Sequence, residues 1–135
     1  MPASTRPPMH AATILLVDDD TLLRDTVRQL LELDGHRVID VANGSAGLQY
    51  LSQHPAGVDL VITDMLMPVM DGAQFIVQLK QSHPRLPVIA ISGGRRTLSP
   101  QFNLDTANLL GVAKSLPKPF GRDALQAAVR SVLPP

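Results

Sequence analysis

Cysteine is absent from this chain, which excludes disulfides and thiolate metal sites. That absence fits a reducing cytoplasm, the expected location. Tryptophan is missing too, and three Phe and one Tyr make up the whole aromatic complement. Few side chains are therefore available to stack on bases. Net charge of either sign is lacking: twelve basic residues balance twelve acidic ones. Without a basic footprint, no direct nucleic-acid binding is expected. No apolar run approaches the roughly 20 residues that span a bilayer, so no membrane contact is expected either. The opening MPASTRPPMH has no apolar core and is not a secretory signal. Glutamate is almost missing, since Glu32 stands alone beside eleven Asp. The shorter carboxylate suits loops, caps and tight cation sites.

What remains is ordinary globular material. A chain of 135 residues, 44% hydrophobic and 18% charged, fits one domain around one core. The proline-rich residues 1–12 read as a disordered lead-in and 13–133 as the domain. From Thr13 two periodicities alternate. Short apolar runs at Thr13 to Val17, Arg37 to Val41, Val58 to Thr63, Pro87 to Ile91 and Val112 to Leu116 read as strands. Between them lie helical patterns. The first presents Leu23, Val27, Leu30 and Leu31 on one face, turns Arg24, Asp25 and Arg28 away, and stops at Asp34-Gly35. A short helix carries Leu48 and Leu51, and another spans Gly72 to Ser82 with Phe75, Ile76 and Leu79 inward. Further helices are expected over residues 104–110 and from Phe120 to Leu133. Such alternation implies a parallel sheet with helices on both faces.

The stretch ILLVDDD, Ile14 to Asp20, runs four apolar residues into three carboxylates. Like charges at a buried strand end cost stability, so a cation, a ligand or a catalytic role should offset them. Strand one ends in Asp18-Asp19, strand three in Asp64 and strand four in Ser92, while Lys118 follows strand five. A parallel sheet brings these ends to one edge, where ligands bind in α/β folds. Three carboxylates, a hydroxyl and a lysine should therefore converge where a hard cation could neutralise the acids.

VDDD, TDMLMPVMDG, ISGG and KPF, in this order, resemble the receiver domain of two-component response regulators over about residues 13 to 133. The resemblance implies a flavodoxin-like α/β fold: a doubly wound five-stranded parallel sheet of order 2-1-3-4-5. It implies phosphorylation of Asp64 by a histidine kinase or phosphotransfer protein, with a downstream protein partner reading the result. By resemblance, Asp19, Asp64 and the backbone carbonyl of Leu66 would ligate Mg2+ directly, and Asp18 through water. Lys118 would pair with a phosphoryl oxygen and, before transfer, with Asp64. Ser92 would donate its hydroxyl, and Gly93 a backbone N–H. A cis Lys118-Pro119 bond is expected. Such a domain assists its own phosphorylation and dephosphorylation without being an enzyme in the ordinary sense.

Each residue alone has a plainer reading. Asp18 to Asp20 could be a solvated strand end that caps a helix, and Asp20 is read as a cap only. Asp64 and Ser92 could be turn residues, and a lone Lys118 is usually a surface lysine. His10, His36, His54 and His83 lack metal-ligand spacing and are read as surface residues. Met65, Met67 and Met70 are read as loop and core filler.

The chain departs from the family in two places. The segment GGRRTLSPQFN after strand four is longer than usual, and Ser115 stands where receivers carry Tyr or Phe. The usual rotating ring cannot operate, so Arg95, Arg96 and Phe102 become a candidate switch segment together with Ser115. Leu66 and Gly94 offer no side chain to orient a hydrolytic water, which favours slow self-hydrolysis. The sequence ends soon after the last expected helix, and either a stand-alone receiver or one cut from a longer protein is expected. A Mg2+-dependent aspartyl phosphatase is a competing reading. Such enzymes place a second Asp two residues after the nucleophile, where this chain has Leu66. An inert receiver-like interaction module is another, although it usually lacks the acceptor or the lysine.

Overall fold

The structure is a computed structural model and describes residues 11–65, 67, 70–92 and 110–133. In chain order the elements are β1 (Thr13–Val17), α1 (Thr21–Leu33), β2 (Arg37–Val41), α2 (Gly44–Gln53), β3 (Leu60–Asp64), α3 (Gly72–Ser82), β4 (Val88–Ser92), β5 (Lys114–Pro117) and α4 (Arg122–Val132). One five-stranded sheet runs β2-β1-β3-β4-β5, and every pairing is parallel. This is the doubly wound α/β order that the motifs implied.

Burial follows position in the sheet. The inner strands β3 and β4 are buried at every residue, and β1 at all but Thr13. A strand covered on both faces needs an unbroken apolar run, which is how these three are written. The edge strands β2 and β5 are half-exposed, with Leu116 the one buried residue of β5. Side chains alternate between two cores. Ile14, Leu16, Ile62, Ile89, Ile91 and Leu116 pack with Val27 and Leu31 of α1 and Leu125, Ala128 and Val129 of α4. Leu15, Val17, Val61, Val88 and Ala90 pack with Leu51 of α2 and Phe75, Ile76 and Leu79 of α3. A one-residue slip in register would exchange these two faces.

Caps fix the helix starts at the functional edge. Asp20, Asn43 and Asp71 each accept a backbone N–H from three residues on, at Leu23, Ala46 and Gln74. Helix α1 ends at Leu33 with Asp34 as its C-cap, followed by Gly35 at φ +90°, a left-handed position suited to glycine.

Several boundaries move. Strand β3 starts at Leu60 rather than Val58; just ahead of it the Asp59 N–H donates to the Thr13 carbonyl and the Asp59 carboxylate accepts the Thr13 N–H. Strand β4 runs Val88–Ser92, so Ser92 lies inside the strand. Strand β5 begins at Lys114 rather than Val112. Helix α4 begins at Arg122 rather than Phe120, with Gly121 as its N-cap. The expected helix over 104–110 falls outside the described residues except for Leu110, which lies in a turn. Ala12, assigned to the lead-in, is buried; its N–H donates to His36 Nδ1 and its carbonyl accepts from Arg37. His36 thus secures the start of β1 and is more than a surface residue. Among the described residues, no helix is long and apolar enough to cross a membrane.

Candidate phosphoacceptor site

The carboxyl ends of β1, β3 and β4 meet at one sheet edge with the loop that follows β5. One carboxylate oxygen from each of Asp18, Asp19 and Asp64 lies within 4.8 Å of the other two. Asp18 and Asp64 are buried and Asp19 is partly exposed. Lys118 Nζ reaches Asp64 Oδ2 at 3.4 Å, and its Lys118-Pro119 bond is cis. The Lys118 N–H donates to the Ser92 carbonyl at 2.7 Å, which ties the lysine loop to the end of β4. Ser92 is itself buried. Four of the five side chains expected to converge, those of Asp18, Asp19, Asp64 and Lys118, lie together, and the Ser92 backbone is tied to the lysine loop beside them.

The electrostatics match what the sequence raised as a problem. Asp18 Oδ1 accepts the Asp20 N–H at 2.9 Å, while Oδ2 is buried and has no hydrogen-bond partner among the described residues. Burial pushes the Asp18 carboxyl from 3.8 up to about 6, with the neighbouring charges of Asp64 and Asp19 adding to the rise; the Asp20 N–H and Lys118 pull it back. A buried carboxylate with an oxygen left unpartnered among the described residues, clustered with two more carboxylates, is a donor set for a hard cation. Magnesium fits it, because that ion takes oxygen ligands and is held by few carboxylates.

Local packing explains how Asp64 is held. The Met65 N–H donates to the Ile91 carbonyl, and the Met65 carbonyl accepts from Gly72. A Cβ at Gly72 would sit 2.5 Å from the Asp64 carbonyl oxygen and 2.5 Å from Met65 Cα. Only glycine lets the start of α3 approach the end of β3 this closely. Met65 and Met67 are buried and Met70 packs against the same core, as expected of filler. Leu66, Gly93, Arg95, Arg96 and Phe102 lie outside the described residues. Ser115 is half-buried, in register with Ala90 of β4.

Arg24 does not keep to the outward face that helical periodicity gives it. Arg28 does point away, pairing with Asp25 and Glu32 along α1. Arg24 instead folds back over the end of β1. Its Nη1 donates to the Asp18 carbonyl at 2.7 Å and its Nε to Asp40 Oδ2 at 3.0 Å. A helical wheel reports which face meets the core, but not where a long side chain reaches.

Residues 14–130 match the family model described as response regulator receiver domain. The transcriptional regulatory protein CpxR of Escherichia coli K12 is 35% identical over 120 residues, covering 89% of this chain and 48% of CpxR. The sensor kinase CckA of Brucella abortus is 32% identical over 123 residues, covering 91% of this chain and 13% of CckA. The chain thus spans about half the length of CpxR and a smaller share of CckA. Among solved structures, a receiver domain protein from Clostridium thermocellum superposes with a TM-score of 0.82 at 29% identity, covering 90% of this chain and 94% of that one. The chemotaxis protein CheY4 of Vibrio cholerae gives 0.77 at 28% identity, covering 91% and 99%. This chain belongs to the response regulator receiver domain family.

Proposed function

We propose that this chain is a phosphoacceptor switch in which Asp64 receives a phosphoryl group from a histidine kinase or phosphotransfer protein. The observation that carries this reading is the ion pair of Lys118 with Asp64 at 3.4 Å, beside the cluster of Asp18, Asp19 and Asp64. A carboxylate oxygen of Asp64 attacks phosphorus, and the P–N bond of the donor phosphohistidine breaks. The electron pair leaves with the imidazole, which takes up a proton. The product is an acyl phosphate. Such a transfer needs mainly positioning and charge neutralisation. Lys118 moves from Asp64 to a phosphoryl oxygen, and the Ser92 hydroxyl donates to another. Asp19, Asp64 and the Leu66 carbonyl would hold Mg2+, with Asp18 acting through water and Gly93 offering its N–H. Bound Mg2+ would supply the positive charge that offsets the phosphoryl oxygens.

The signal then passes to a protein partner or along a phosphorelay. With Ser115 at the usual aromatic position, the segment of Arg95, Arg96 and Phe102 carries the readout in this proposal. A cytoplasmic location suits a donor of this kind. Treating the protein with acetyl phosphate and Mg2+ and weighing it intact tests the reading. Stable gain of one phosphoryl group supports the switch. Continuous release of inorganic phosphate points to a phosphatase, and no gain to an inert module.

A further inference from the structure

Asp18 is held in the acidic cluster through its backbone as well as its side chain. Its N–H donates to the Val41 carbonyl at 3.2 Å, and its carbonyl accepts Arg24 Nη1 at 2.7 Å. The same guanidinium reaches Asp40 Oδ2 at 3.0 Å, and its side chain is only 17% exposed. Asp40 lies on the edge strand β2, in register with Leu16 of β1. One planar fork therefore spans from β2 to the residue where β1 turns into the acidic loop. The Arg24 charge is matched by Asp40 and faces the Asp18 carbonyl rather than the carboxylates. What Arg24 contributes to the cluster is geometry.

We propose that Arg24 is a positioning residue for the acidic cluster: its fork on Asp40 and the Asp18 carbonyl holds the Asp18-Asp19 backbone at the spacing to Asp64 that a divalent cation requires. The proposal rests on reading the cluster as the cation-binding half of the phosphoacceptor site. Lysine carries the same charge but is a point donor on a flexible stem and does not reproduce a two-pronged hold. Partners that orient metal ligands typically change affinity by 10-fold or more when removed.

The test is Mg2+ affinity by calorimetric titration, read beside stability in chelator. Arg24→Lys should weaken Mg2+ binding roughly 10-fold and raise hydrogen exchange at the Asp18 and Asp20 amides. Asp40→Asn keeps an oxygen that accepts from Nε, so it should bind Mg2+ close to wild type. Arg122→Ala is the control: Arg122 pairs with Asp34 at the other end of α1, so its loss costs stability without touching the cluster. Wild-type Mg2+ affinity in Arg24→Lys overturns the proposal. So does an equal loss in Arg122→Ala, which would reduce the effect to general destabilisation, or in Asp40→Asn, which would make it one of charge. If Arg24→Lys does not fold, Asp40→Ala is measured instead, with the same weakening expected and wild-type affinity again fatal. Phosphorylation of Asp64→Asn tests the acceptor reading separately, so the two can fail independently.

Discussion

Replacing Asp18 by Asn should make the metal-free protein more stable. Burial and like charges raise the Asp18 carboxyl from 3.8 to about 6. The folded state therefore binds the proton more tightly than the unfolded chain does. Stability falls as pH rises through that window, and the penalty is complete above it. At about 1.4 kcal/mol per pKa unit, a rise of about two units costs about 3 kcal/mol near pH 8. Asparagine keeps an oxygen for the Asp20 N–H, which Asp18 Oδ1 accepts at 2.9 Å. Its amide N–H replaces Oδ2, the buried oxygen without a partner among the described residues, and can donate to the neighbouring carboxylates. Urea denaturation in EDTA should show Asp18→Asn up to about 3 kcal/mol more stable near pH 8 and close to wild type near pH 4. Saturating Mg2+ should narrow the gap, because the wild type has more charge to neutralise. An Asn variant no more stable at pH 8, or one with the same gain at both pH values, would refute the electrostatic reasoning.

Three further outcomes follow from the same geometry. Mg2+ at about 100 times its Kd should raise stability by about 2.7 kcal/mol; thermal shifts should show Asp19→Ala losing most of that gain, whereas Asp20→Ala loses about 1 kcal/mol of capping and keeps it. Gly72→Ala should cost roughly 1–3 kcal/mol in denaturation, because its Cβ would meet the Asp64 carbonyl oxygen and Met65 Cα at 2.5 Å. It should also slow phosphoryl uptake, and a variant with wild-type stability would mean that α3 does not pin the acceptor strand. Lys118→Met should slow uptake from acetyl phosphate on the order of 100-fold. It should also push the Asp18 carboxyl further up, since Lys118 now pulls it down; a titration that leaves Asp18 in place would count against that coupling.

The inner elements were legible because one physical rule governs each of them. Strands β1, β3 and β4 are covered on both faces and so are written as unbroken apolar runs. Helix α3 was bounded correctly because Asp71 caps it and His83-Pro84 stops it. The edges were harder. Strand β5 buries only Leu116, so alternation there gives little signal, and Gly121 rather than Phe120 sets the start of α4. The convergence of Asp18, Asp19, Asp64 and Lys118 was readable because a parallel sheet sends all its strand ends to one edge. Arg24 escaped because its role lies in reach rather than face. Asp40, one residue before the end of the neighbouring strand, was the available signal, since parallel pairing of β1 and β2 sets it level with Leu16, two residues short of Asp18.

The central claim is that Asp64 is the acceptor, with Asp18, Asp19 and Lys118 arranged around it. Acyl phosphates are reduced by borohydride, which converts the modified aspartate to homoserine and leaves ordinary carboxylates untouched. The protein should be treated with acetyl phosphate and Mg2+, reduced, digested and mapped by mass spectrometry. The account predicts a single modified position, Asp64, absent when Mg2+ is chelated. Modification at Asp18, Asp19 or Asp71 with Asp64 intact would contradict it.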